Sequence, residues 1–264
     1  MTTCLSNAGA AGAANGEQGE RVLWCERLTK SYEGEPIIEE ISVELCRGQL
    51  VSVLGASGTG KTTLFNSLSG LEEPDSGRVF LRGEDVTGKP GRVSYMQQKD
   101  LLLPFRTILD NTCVPLLLRG VERKKAREQA REFFGEFGLS GCEDKYPSQL
   151  SGGMRQRAAL LRSYLFQGEI MLLDEPFSAL DAITKSSMHQ WYKSVCRKHG
   201  TSAFLITHDI DEAILLSDRI YVIAGVPGKI CADIRIQSSG ERDSEFTMSE
   251  TFIGYKRQIL SHIR

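Results

Sequence analysis

Gly55-Ala56-Ser57-Gly58-Thr59-Gly60-Lys61-Thr62 decides how this chain reads. The apolar run Leu50-Val51-Ser52-Val53-Leu54 precedes it, suited to a buried parallel strand, and a helix is expected from Lys61 to about Ser69. Strand, glycine-rich turn of the form G-x-x-x-x-G-K-[ST] and helix, in that order, make a phosphate cradle. Glycines let the backbone from Gly55 through Ala56, Ser57, Gly58, Thr59 and Gly60 wrap closely, so its N–H groups and the helix N-terminus face an anion. Lys61 is placed to reach the β- and γ-phosphates of a nucleotide. Thr62 offers a hydroxyl to Mg²⁺, and Thr63 continues the same turn.

Further along, Ile170-Met171-Leu172-Leu173 runs into Asp174-Glu175-Pro176. A buried strand that delivers two carboxylates to the carboxyl end of a parallel sheet puts them where such sheets bind ligands. Asp174 is the expected Mg²⁺ holder and Glu175 the expected base for an attacking water. His208 follows the strand Ser202–Ile206; by itself it reads equally as a surface histidine or as a donor to the γ-phosphate. Leu150-Ser151-Gly152-Gly153-Met154-Arg155-Gln156-Arg157 is a second Ser-Gly-Gly turn opening onto a helix, an anion site by the same physics. One triphosphate does not need two cradles. A second nucleotide or a second subunit is implied.

The rest of the 264 residues frames these motifs. Strands at Leu23–Ser31, Ile37–Leu45 and Arg78–Arg82, with helices alternating between strands, imply a mostly parallel α/β sheet. From about Lys99 to Phe166 the pattern turns helical, with Ala126, Ala130, Phe133, Phe134 and Phe137 on one apolar face of an inserted lobe. Met188, Trp191, Tyr192 and Val195 mark a helix ending near Gly200. The bounds read as a disordered tail over 1–20, a nucleotide-binding domain over 21–236 with its helical insert at about 99–166, and a polar linker and helix over 237–264. A net charge of −2 gives no field for nucleic acid. Seven scattered cysteines without a C-x-x-C pair fit inert thiols in a reducing compartment. No run reaches the roughly 18 apolar residues of a membrane span. A cytosolic protein is expected.

Together these segments resemble the nucleotide-binding subunit of an ATP-binding cassette (ABC) transporter, over about Leu23 to Ile236. Leu150–Gln156 carries the likeness most specifically, with Met154 where Gln is common. The resemblance implies a P-loop NTPase (RecA-like) core with an antiparallel β-subdomain and an inserted α-helical subdomain. It implies that Tyr32 stacks on adenine and that Gln98 is the glutamine sensing Mg²⁺ and the membrane subunit. Ser178-Ala179-Leu180-Asp181 is similar to a loop that crosses the dimer interface, and His208 to a switch histidine. It also implies a head-to-tail dimer, in which ATP on one Lys61 loop is closed over by the other subunit's Ser151 and Gly153.

Leu102–Thr107 with Asp110-Asn111, Thr207–Ala213, Leu216–Arg219 and Val226–Ile230 resemble the nitrate/sulfonate/taurine branch of importer ATPases. The implied partners are permease subunits on the inner face of the membrane, a second ATPase that is either an identical copy or a related chain, and indirectly a substrate-binding protein. An exporter or lipid-trafficking ATPase and a soluble non-transport ATPase are the alternatives. Soluble relatives usually carry two cassettes or long coiled-coil insertions, which this chain does not show.

Overall fold

The computed structural model describes residues 19–263 apart from 168, 179, 239–241 and 244. The tail expected to be disordered lies outside the described residues except at Gly19 and Glu20. Glu20 is tied in: its carbonyl accepts from the Arg47 N–H at 2.8 Å, and its carboxylate meets the Arg47 guanidinium.

The chain opens with a hairpin of β1 (Arg21–Tyr32) and β2 (Glu35–Cys46). Its turn residues Glu33 and Gly34 both take left-handed dihedrals, φ 51 and 86. That twist matches two flanking antiparallel strands. With β4 (Ser76–Leu81) and β5 (Glu84–Asp85) the hairpin forms a four-stranded antiparallel sheet in the order β2-β1-β4-β5.

The central sheet has six strands in the order β10-β9-β3-β8-β7-β6. These are β3 (Leu50–Leu54), β6 (Ser94–Met96), β7 (Ile170–Asp174), β8 (Ser202–Thr207), β9 (Arg219–Ala224) and β10 (Lys229–Arg235). All neighbours run parallel except β10, which pairs antiparallel with β9. β7 and β8 are buried along their whole length, as their apolar runs Ile170–Leu173 and Ala203–Ile206 require.

Alternation along β7 sorts two cores. Ile170 and Leu172 pack with Leu64 and Phe65 of α1 (Lys61–Leu68) and with the antiparallel sheet. Met171 and Leu173 face the helical lobe. That lobe holds α2 (Ile108–Thr112), α3 (Val114–Leu118), α4 (Arg123–Glu132) and α5 (Gly152–Gln167). The sheet is completed by α6 (Ala182–His199) and α7 (Ile210–Leu216), and α8 (Glu250–Ile263) closes a third cluster through Phe252 and Ile259.

The structure corrects the helical reading of the insert in two places. Residues 99–106 form no helix; Asn111 folds them into a loop, its amide donating to the carbonyls of Leu103, Arg106 and Thr107 and its oxygen accepting from the Leu103 N–H at 2.7 Å. The Ala126–Phe137 stripe also outlasts its helix. α4 stops at Glu132, and Phe134 and Phe137 reach the core from turns around Gly138, whose φ is 64. Apolar spacing marked four of the five side chains as buried correctly, with Phe133 partly buried, and placed the helix end wrongly. β6, β9 and β10 were not anticipated as strands.

Among the described residues there is no disulfide; five cysteines are buried, and burial pushes the Cys25 and Cys196 thiols up to about 12. Among the same residues, no helix is long and apolar enough to cross a membrane.

Candidate functional site

The loop between β3 and α1 is braced from below. Gly60 caps α1 in the left-handed region, φ 86, and a Cβ there would meet Ile38 Cγ2 at 2.4 Å. Gly228 is placed more tightly still: a Cβ would come within 2.1 Å of the Thr59 carbonyl. Gly228 in turn pairs with β2, its N–H donating to Ile37 O at 2.8 Å and its carbonyl accepting from Glu39 N at 3.0 Å. The phosphate loop therefore rests on backbone from β2 and from the β9–β10 turn, with no room for side chains at its contacts.

Lys61 is 6% exposed and curls back over its own loop, donating to Gly55 O at 2.9 Å and Ala56 O at 2.7 Å. Burial holds its pKa below the ordinary lysine value, against the pull of Glu175 and Asp174. These are bonds that phosphate oxygens can replace.

Asp174 ends β7 beside this lysine. The Thr62 hydroxyl donates to Asp174 Oδ2 at 3.0 Å, and the Tyr95 hydroxyl reaches the same oxygen at 3.4 Å. Burial raises the Asp174 pKa, and the nearby Glu175 raises it further. A desolvated carboxylate touching a hydroxyl is an oxygen donor pair that suits a hard divalent cation. Among the described residues no group of three or more His, Cys, Asp or Glu is set to hold a metal. An ion here would complete its shell with phosphate and water.

Glu175 stands at φ 47, in the left-handed region where a non-glycine residue pays about 1 kcal/mol. Its carboxylate is held from both sides. Gln98 Nε2 donates to Oε2 at 3.1 Å, and His208 Nδ1 lies 3.1 Å from Oε1. Gln98, Glu175 and His208 come from three separate segments, after β6, β7 and β8, and meet over the mouth of the loop.

One open cleft of about 510 Å³ is lined by Tyr32, Ile37, Ser57, Gly58, Gly60, Lys61, Thr62, Thr63, Gln98, Asp174, Glu175 and His208. Tyr32 is 41% exposed, its hydroxyl bonded to Glu72. Ser151, Gly153 and Asp181 do not line it. Ser151 is exposed and accepts from Met154 N at 3.3 Å as the cap of α5, while Asp181 Oδ1 caps α6 at Thr184 N.

A family profile described as ABC transporter matches residues 38–178. The formylaminopyrimidine import ATP-binding protein ThiZ of Halalkalibacterium halodurans is 41% identical over 229 residues, which is 86% of this chain and 90% of that protein. The chain belongs to the ABC transporter family.

The taurine import ATP-binding protein TauB of Pseudomonas fluorescens is 36% identical, covering 92% of this chain and 94% of its own. A solved dimeric bacterial ABC transporter cassette superposes with a TM-score of 0.71 at 26% identity, over 82% of this chain and 99% of that one. Another, a dimer in a post-hydrolysis state bound to ADP and Pi, gives 0.71 at 25% identity, with the same coverage of 82% and 99%. The chain is thus an ATP-binding cassette ATPase from the branch of importer subunits, with the expected parallel core, antiparallel β-sheet and helical lobe.

The arginines of α5 sit beside the expected Ser151 anion site. Here they hold the chain instead. Arg155 reaches Asp100 at 3.3 Å, Arg162 the carbonyls of Leu101 and Asp100, and Arg157 lies 5.0 Å over the Trp191 ring. Gln156 donates to the carbonyl of Pro176, joining α5 to the residue after Glu175. Two contributors escaped the sequence reading: the Tyr95 hydroxyl on Asp174, and Ile37 in the cleft wall. Tyr95 lies on β6, paired with β7, and because β6 was not anticipated as a strand no sequence signal placed its hydroxyl at Asp174.

Proposed function

We propose that this chain is the ATP-hydrolysing subunit of a small-solute importer, acting as a head-to-tail pair beneath separate permease subunits. The observation that carries the reading is the meeting of Gln98, Glu175 and His208 over the Lys61 loop, while Ser151, Gly153 and Asp181 lie outside the same cleft. Half a site on one subunit is then completed by the other half on its copy.

ATP lies with adenine on Tyr32 and its phosphates on the 55–62 backbone. Lys61 exchanges its two loop carbonyls for phosphate oxygens. Thr62, Asp174 and Gln98 are the residues that would hold Mg²⁺, which supplies charge neutralisation on the phosphates when bound. Glu175 orients the attacking water and takes its proton as the water oxygen bonds to the γ-phosphorus and the bond to the ADP oxygen breaks. His208 keeps Glu175 aimed and donates toward the γ-phosphate. Loss of that phosphate loosens the closed pair, and the permease follows. The ATPase works on the cytosolic side of the membrane, and a solute-binding protein delivers cargo from the other.

Glu175→Gln tests the assignment: turnover should fall by about 10²–10⁴-fold with ATP binding intact. Full activity in that variant would remove Glu175 from the role. Recovery of a polytopic membrane protein with the tagged chain checks the transport assignment; ribosomal or DNA partners instead would contradict it.

A further inference from the structure

We propose that Lys185 is a positioning residue for hydrolysis, tying the 178–181 loop to the segment that carries His208. The proposal rests on the ATPase reading above.

Lys185 stands in the first turn of α6. Its backbone N–H donates to Asp181 O at 2.8 Å, and Asp181 Oδ1 accepts from Thr184 N at 3.0 Å in the same turn. Its side chain points the other way. Nζ meets Asp209 Oδ2 at 2.7 Å and Glu212 Oε2 at 2.8 Å. One residue therefore spans from the end of the interface loop to the residue after His208.

Asp209 is well suited to receive this tether. Its own N–H donates to Thr207 Oγ1 at 3.0 Å. Its Oδ1 caps α7, accepting from Asp211 N at 2.9 Å and Glu212 N at 3.2 Å. Thr207 and Asp209 thus bracket His208, and the bracket is anchored to α6 through Lys185. The His208 side chain is 56% exposed and meets Glu175 at 3.1 Å, so its aim depends on where its backbone is held.

A purely structural ion pair would not need the Asp209 arm. Glu212 is 2% exposed and already has two partners, Lys185 and His189 Nε2 at 3.1 Å. The Asp209 side chain is 37% exposed and buries little by contrast. Burial alone would lower the Lys185 pKa, but the Asp209 and Glu212 carboxylates overturn this and hold it above the ordinary value. Lys185 therefore keeps the charge that reaches both.

ATPase kinetics and melting of full-length variants test the proposal. Asp209→Asn keeps a helix cap and the Lys185–Glu212 pair, so the fold should hold. Its kcat should fall about tenfold or more while the KM for ATP stays within about twofold, the signature of misplaced machinery with binding intact. Lys185→Met combined with Glu212→Gln removes the half-buried lysine and the buried glutamate together, leaves neither facing the other's empty place, and should show the same kcat loss near the parental melting temperature. Lys185→Arg, which retains the charge, should recover most of the rate. Parental kcat in both Asp209→Asn and the double variant would overturn the proposal, as would a loss that tracks stability alone. A parent chain that does not hydrolyse ATP overturns the ATPase reading itself.

Discussion

Asp174 carries a conflict that its neighbours do not fully relieve. Thr62 and Tyr95 bond its carboxylate and Lys61 lies nearby, yet burial still raises its pKa. The sign follows directly. The folded chain holds this proton to higher pH than the unfolded chain, so Asp174 withdraws stability as pH rises through its folded pKa. Asp174→Asn should then melt at or above the parent near neutral pH, with the gap shrinking as pH falls, and should hydrolyse ATP at least about a hundredfold more slowly. A variant that melts well below the parent at neutral pH would contradict this account of the carboxylate. Such tension was not legible in the sequence. Asp174-Glu175 announced two carboxylates at a strand end, but the left-handed backbone at Glu175 and its grip by Gln98 and His208 depend on three strands arriving at one height.

At the level of elements, the phosphate loop owes its shape to partners far away in the chain. Its strand–loop–helix order was readable because the local pattern and the glycines agree. The support from the β9–β10 turn was not, since no local signal at Val226–Ile230 says that a backbone approaches Thr59. Gly228→Ala tests that support: its Cβ would have to displace the Thr59 carbonyl, so the variant should lose about 1–3 kcal/mol of stability. Weaker ATP binding should accompany the loss, read by nucleotide titration. The 101–107 loop makes the same point. Helical composition around it misled, because fully buried Asn111 captures its backbone and leaves Leu101 and Phe105 exposed, at 51% and 74%. Asn111→Ala should slacken this loop and leave ATP binding by the isolated chain within about twofold of the parent. Its melting temperature should fall, because the carbonyls of Leu103, Arg106 and Thr107 lose their buried donor.

For the whole molecule, the proposed shared site turns on two expected phosphate cradles in one chain. The first gathers Lys61, Thr62, Asp174, Glu175, Gln98 and His208 into one cleft. The second, at Ser151–Gly153, is exposed at Ser151 and Gly152 and lies outside it. Spacing suggested two anion sites but not that Ser151 and Gly153 lie outside the Lys61 cleft, which depends on how the helical lobe packs on the sheet. The most direct test is the solution mass of Glu175→Gln with ATP and Mg²⁺, with and without Ser151→Arg added. ATP should bring Glu175→Gln to twice the 29.3 kDa of the chain, and Ser151→Arg should return it to the monomer with ATP still bound. A Glu175→Gln chain that binds ATP and stays at 29.3 kDa, or a dimer indifferent to Ser151→Arg, would contradict the shared-site account.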